Sequence, residues 1–260
     1  MKERIVYLSL VLFFSCTQPA AHKQKEKAET PEQSLRDSMA KYPDSLIFVE
    51  DLIQLYRDSN QYNKAISETE KQISRFPAND RLYDILATLY FENEDTTLAA
   101  STFEKAFALA PGTHYAISLG TMYAYTANPR ALTLMDTLIL VNPEMTSEAD
   151  FIKGLYFSAT ANYQKAISLF DTCIHERLTF MEAYREKSWA LFQLGKYQEA
   201  LGVINTAITL QNNFEEGYFY KGKYLEKLNR PTEAAEAYQM ALLYAPDYEE
   251  AQEALNRLEK

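Results

Sequence analysis

Glycine and proline are scarce in this chain, at seven and nine of 260 residues. So few turn-formers do not punctuate a fold of many short strands and leave little material for a phosphate-cradling loop, whereas the helix formers Ala, Leu, Glu, Lys and Gln are plentiful. Histidine is rarer still. His22, His114 and His175 stand far apart, without the convergent Cys or carboxylate ligands that zinc needs. No P-loop, GxSxG, HExxH or CxxC spacing occurs. The chain is therefore read as all-α and non-enzymatic, with no catalytic residue, metal or cofactor, and its carboxylates as solvated charge on helix faces. Basic residues are outnumbered, 26 Lys and Arg against 36 Asp and Glu, for a formal net charge of −10. Repulsion from phosphate excludes nucleic acid as a partner unless a basic face is concentrated somewhere, and none is found. The excess lies beyond residue 45, where 19 basic face 30 acidic residues. That balance favours a basic or neutral partner and aids solubility.

The apolar run from Ile5 to Phe14, behind Lys2 and Arg4, has the length of a signal-peptide core and is too short to span a bilayer. It ends in "FFSC", where Ser15 precedes Cys16. This resembles the lipobox of bacterial lipoproteins, although Phe13 and Phe14 replace the usual Leu and small residue; ordinary cleavage near "QPAA" is the alternative. The resemblance implies that residues 1–15 are removed and that Cys16 is lipidated, several acyl chains fixing the protein to a membrane. Thr17 in place of Asp, and the lack of an acidic run after it, point to an outer-membrane anchor facing the periplasm. Cys173 is then without a disulfide partner and, lying in an apolar helical register, reads as a small buried hydrophobe. Residues 16–30 are polar and aperiodic, the composition of a flexible tether. In 31–45, Pro31 suits the first position of a helix, and Leu35, Met39 and Tyr42 form its apolar stripe before Pro43, giving an N-terminal cap.

Beyond Leu46 one phrase keeps returning, as "NQYNKAISETEKQI", "ANYQKAISLFDTCI" and "GKYQEALGVINTAI". Aligning on its alanine brings Ala65, Ala99, Ala131, Ala166, Ala200 and Ala234 into register at separations of 34, 32, 35, 34 and 34. Twelve residues later stand Pro77, Pro111, Pro143 and Pro246, with Leu178 and Asn212 in the other two units. Nine residues earlier stand Tyr56, Tyr90, Phe157, Leu191 and Leu225, with Tyr123 eight before Ala131. Within each unit the apolar residues recur at spacings of three and four, so each helix buries one stripe and the pair still has an uncovered face. Only stacking covers it.

Over residues 46–248 this pattern resembles the tetratricopeptide repeat, a helix–turn–helix unit of 34 residues. Gly120, Gly154 and Gly222, with Ala87 and Ser188, match its first small position; Ala106, Ala207, Ala241 and Cys173 match its second; and Phe103, Phe170, Ile204 and Tyr238 match the large residue between. The resemblance implies a right-handed superhelix of six units (46–79, 80–112, 113–146, 147–180, 181–214 and 215–248), closed by a C-terminal capping helix at 249–260. First helices would line a concave groove. Two units depart. The first has Ile53, Thr69 and Gln72 where small, large and small residues are expected, and it either packs loosely or meets the N-terminal helix differently. The third has a shortened turn with "NPR" and an extra "PEMTSE", so the solenoid changes twist or hinges near 143–150.

In that register the groove presents Phe151 and Leu155, then Arg185, Trp189 and Phe192, then Phe219, Tyr220 and Lys223. Aromatic and Arg residues are typical binding anchors, so a protein or peptide partner is expected there; burial of Trp189 between neighbouring first helices is the competing reading. The first two units instead place Glu50, Gln54, Asp84, Thr88 and Glu92 there, an acidic half. The Lys/Asn set with which some repeats of this family clamp a carboxylate is absent. The resulting expectation is an envelope-anchored interaction scaffold; self-association into homo-oligomers is the structural alternative.

Overall fold

The computed structural model describes residues 30–258. The expected signal peptide, Cys16 and nearly all of the tether lie outside the described residues. Among the described residues there are fourteen α-helices, one short 3-10 turn and no strand. Helix α1 (Pro31–Lys41) precedes six antiparallel pairs: α2 (Ile47–Asp58) with α3 (Tyr62–Arg75), α4 (Asp80–Glu92) with α5 (Thr96–Leu109), and α6 (Thr113–Tyr125) with α7 (Arg130–Val141). These are followed by α8 (Thr146–Ala159) with α9 (Tyr163–Glu176), α10 (Met181–Gln193) with α11 (Tyr197–Leu210), and α12 (Glu215–Lys227) with α13 (Pro231–Tyr244); α14 (Glu249–Leu258) follows. Each first helix packs on its own second helix and on the second helix of the unit before, and α14 covers α13 in the same way. The protein is a helical solenoid.

The aligned alanines Ala65, Ala99, Ala131, Ala166, Ala200 and Ala234 all have 0 % exposure. A larger side chain there would hold the two helices apart. The opposing small residues tighten the same contact: a Cβ built on Gly154 would stand 2.5 Å from the Phe170 ring, and one on Gly222 2.5 Å from the Tyr238 ring. At Gly120 the obstacle is only the mobile end of Met135, Cε at 2.5 Å.

Every hairpin turn is closed the same way. Asn60, Glu94, Ala127, Ala161, Gly195 and Asn229 take left-handed φ values of 53, 63, 53, 58, 76 and 56°. The next amide donates back to the carbonyl of the first helix's bulky residue: Gln61 to Tyr56, Asp95 to Tyr90, Asn128 to Tyr123 and Asn162 to Phe157 at 2.8 Å, and Lys196 to Leu191 and Arg230 to Leu225 at 3.0 Å. This is the Schellman arrangement, which satisfies the orphan carbonyls of the helix end. Gly and Asn tolerate the conformation; Glu94, Ala127 and Ala161 adopt it against their Cβ.

The first unit is polar inside. Glu68, Thr69 and Gln72 are buried. Thr69 donates to the Ala65 carbonyl at 2.8 Å, and Gln72 donates to Glu68 at 2.9 Å. Arg36 of α1 lies 3.5 Å from Glu68 and donates to the Tyr56 hydroxyl at 2.8 Å, while that hydroxyl donates to Glu32 at 2.7 Å. The N-terminal cap is thus tied down by a hydrogen-bonded network as well as by Leu35 and Met39 packed on Val49, Leu52 and Ile53, and the unit is not loose.

In the third unit the turn is not shortened. It spans residues 126–129, and the missing residue is absorbed by α7, which starts one residue before its alanine where the other second helices start three before. The 3-10 turn Pro143–Met145 then runs directly into α8, which packs on both α6 and α7. One hydrophobic cluster continues from Ala87 through Met135 and Ile152 to Phe170. The segment 143–150 is a local change of packing within a continuous core.

Two stability changes follow. Gly154→Ala gains about 1 kcal/mol of helix propensity but forces a methyl into the fully buried Phe170 ring, at about 1–3 kcal/mol. Net destabilisation is expected, whereas Gly202→Ala on exposed α11, with nothing within 4 Å, should stabilise; denaturant midpoints of the two variants should move in opposite directions. Ala161→Gly relieves the left-handed strain and should stabilise the fold by about 1 kcal/mol; an unchanged or lower denaturant midpoint would show that the turn stores none.

Candidate functional site

Successive first helices are linked by polar side-chain contacts that bridge neighbouring units. Arg81 donates to Glu50 at 2.6 Å, His114 lies 3.4 Å from Asp84, and Arg57 donates to Glu92 at 2.8 Å. The carboxylates that suggested an acidic half of the groove are therefore matched by bases of the adjacent units. Towards the C-terminus Arg185 of α10 donates to Glu216 of α12 at 2.6 Å and to its own neighbour Glu186 at 3.1 Å. Burial alone would lower the Arg185 pKa, but Glu186 and Glu216 outweigh it and raise it. Burial raises the Glu186 carboxyl, only partly offset by Arg185.

Around this pair the rings gather. Trp189 is half-buried; it stacks on Phe192 with centroids 5.3 Å apart and planes at 14°, and meets Tyr220 edge-on at 6.0 Å. Phe219 contacts Tyr220 at 5.5 Å and Tyr248 at 5.0 Å. The Lys223 ammonium lies 4.9 Å from the Trp189 ring, 5.3 Å from Phe219 and 5.5 Å from Tyr220, within cation–π range of all three. Desolvation on this aromatic floor lowers the Lys223 pKa, and no carboxylate of the described residues lies within 4.0 Å of its nitrogen. Trp189 therefore packs against its neighbours, as the competing reading expects, without being wholly buried.

The eight residues expected in the groove thus divide. Arg185, Trp189, Phe219, Tyr220 and Lys223 come together, and Phe192 backs them against Tyr224 and Tyr197 at 5.3 and 5.2 Å. Leu155 does not belong: it is 4 % exposed in the core, because α8 is covered by both α6 and α7. Phe151 is turned to Phe170 and Phe180, at 5.7 and 4.8 Å, and serves packing there. Cys173 is buried as expected, and desolvation pushes its thiol up to about 12, an inert state.

Tyr125, at the end of α6, was missed. It is 49 % exposed, yet the surrounding protein and the charges of Glu186 and Glu216, two and three units further on, raise its phenol. Its ring stacks on Phe91 at 6.0 Å, and the two help line a pocket of about 250 Å³ with Thr88, Ile117, Thr121 and Met122. A Tyr two residues beyond Tyr123 was the available signal. No cluster of three or more metal-ligating side chains, and no helix long and apolar enough to cross a membrane, occurs among the described residues.

The tetratricopeptide repeat family matches residues 80–113 and, in two overlapping placements, 153–213 and 186–247. These segments carry tetratricopeptide repeats. Among solved structures, a tetratricopeptide repeat protein from Parabacteroides merdae ATCC 43184 is similar with a TM-score of 0.73 at 21% identity, covering 88% of this chain and 91% of that one. A thermophilic protein of the same repeat class from Thermus thermophilus gives 0.60 at 16% identity, covering 69% and 98%. PilW, a type IV pilus biogenesis factor, gives 0.58 at 17% identity, covering 80% and 96%. At these identities the likeness establishes the fold. No curated protein gives a significant match.

Proposed function

We propose that the protein is a non-catalytic scaffold of the bacterial cell envelope that captures a peptide segment or a helix of a partner protein on its first-helix face. Repeats of this kind mediate protein–protein interaction, and the fold by itself selects no pathway. The observation that carries the reading is the half-open aromatic floor of Trp189, Phe219 and Tyr220 around Lys223. Rings offer large contact area at low entropic cost, and an ammonium already partly stripped of water loses little more on binding. Arg185, fixed by Glu186 and Glu216, is pre-ordered for contact. Tyr125 and Phe91 extend the same surface towards the N-terminal units.

Because Trp189 is the only Trp in the sequence, its emission reports on the site alone. Cross-linking in the native envelope identifies the partner. Addition of that purified partner should shift Trp189 emission, and Trp189→Ala with Phe219→Ala should cut affinity by at least about tenfold, the scale of hot-spot truncations, at unchanged helical circular dichroism. Undiminished affinity in the folded variant rejects the site.

Envelope attachment rests on "FFSC" and the polar stretch after it. Lipidation at Cys16 would place the solenoid on a tether off the membrane, in the outer membrane and facing the periplasm. Cys16→Ala should move the protein from the membrane to the soluble fraction; a variant that still sediments with membranes argues against the anchor.

A further inference from the structure

On the opposite, second-helix face, α7 carries little charge. Its outward residues are Arg130, Thr133, Asp136, Thr137, Leu140 and Val141, and its single carboxylate, Asp136, pairs at 2.6 Å with Lys153, which also lies 3.5 Å from Asp150. By contrast α3 exposes Lys64, Glu70, Lys71 and Arg75, and α9 exposes Lys165, Asp171 and Glu176. Leu140 and Val141 are 82 % and 75 % exposed. Beside them the cleft between α5 and α7 is unfilled. It holds two adjoining pockets of about 560 and 310 Å³ that share Phe107, Leu134 and Thr137. Its only charged lining residues, Glu104 and Arg130, pair with each other at 2.6 Å. An apolar cavity of about 150 Å³ already accepts benzene, so either pocket has room for aliphatic side chains.

We propose that this face binds a second copy of the chain, α7 lying antiparallel on its partner's α7 about a twofold axis near Thr137. The knob and the hole sit on one helix. Leu140 and Thr133 are seven residues apart, about 10 Å along the helix, so the twofold carries the Leu140–Val141 pair of each copy onto the other's pocket beside Thr133 and Leu134. A twofold interface needs such self-complementarity. Electrostatics favour this occupant as well: at a net charge of −10 two copies repel, and the one carboxylate that this face brings near the axis, Asp136, is paired with Lys153. The interface goes beyond the scaffold reading and leaves the aromatic site free, so either can fail without the other.

The test is sedimentation velocity of the full chain carrying Cys16→Ala, over a micromolar concentration series. A reversible monomer–dimer equilibrium is expected. Leu140→Glu with Val141→Glu should weaken it at least about tenfold, because carboxylates would enter an apolar pocket, while helical circular dichroism and the dimerisation of Trp189→Ala stay unchanged. Thr137→Cys in the same background should give a covalent dimer on mild oxidation, and Gln198→Cys on α11 should not. A chain monomeric throughout, a dimer indifferent to the two glutamates, or no Thr137→Cys cross-link overturns the proposal.

Discussion

The solenoid depends on one close contact, made in every pair at a wholly covered alanine of the second helix. Ala65, Ala99, Ala131, Ala166, Ala200 and Ala234 are wholly covered, and at Gly154 and Gly222 an aromatic ring occupies the space that a Cβ would need. Such packing makes each pair a rigid wedge with one apolar side still bare. The next first helix covers that side, and the sequence of wedges ends only where α1 and α14 present a polar exterior. The closing contacts are polar at both ends, Arg36 with Glu32, Tyr56 and Glu68 in one case and Arg257 with Glu226 in the other. End units add these hydrogen bonds to the apolar packing of Leu35 and Met39 at one end and Ala254 and Leu255 at the other, since an end must satisfy both core and water.

Much of this was legible in the residues. Alanine, glycine and proline at fixed offsets mark where helices touch and stop, and those constraints are local enough to survive in a single sequence. The left-handed turn was not legible: Asn60, Gly195 and Asn229 carry a preference for it, but Glu94, Ala127 and Ala161 carry none and are held there by the bonds that close the helix end. Leu155 was misplaced for a related reason. Counting from Gly154 puts it on the open face, but α8 lies against α6 as well as α7, and a neighbour's position is not encoded in the count. The acidic character of Glu50 and Asp84 was read singly, although the bases that meet them stand about one repeat further on, at Arg81 and His114.

The two faces of the solenoid solve different problems. On the first-helix face, charge is allowed close to aromatic rings because each group is partly compensated: Arg185 by two carboxylates, Lys223 by three ring faces. The second-helix face carries dispersed charge on helices such as α3 and α9, whereas threonines and aliphatic residues take over along α5 and α7. A chain this acidic keeps copies of itself apart everywhere else, which makes an uncharged stripe informative beyond its size.

Tyr125 belongs to the third pair, and the charges it senses belong to the fifth and sixth. The gap between them is set mainly by angles at the intervening junctions, and a slight rotation at each adds to the next. The arrangement is a caliper. Its jaws are the phenol on one side and the Arg185 to Glu216 pair on the other, and at the joints between them Phe170 and Ile204 are wholly buried. Softening one of those distant joints would reset the opening without touching a single residue that lines it.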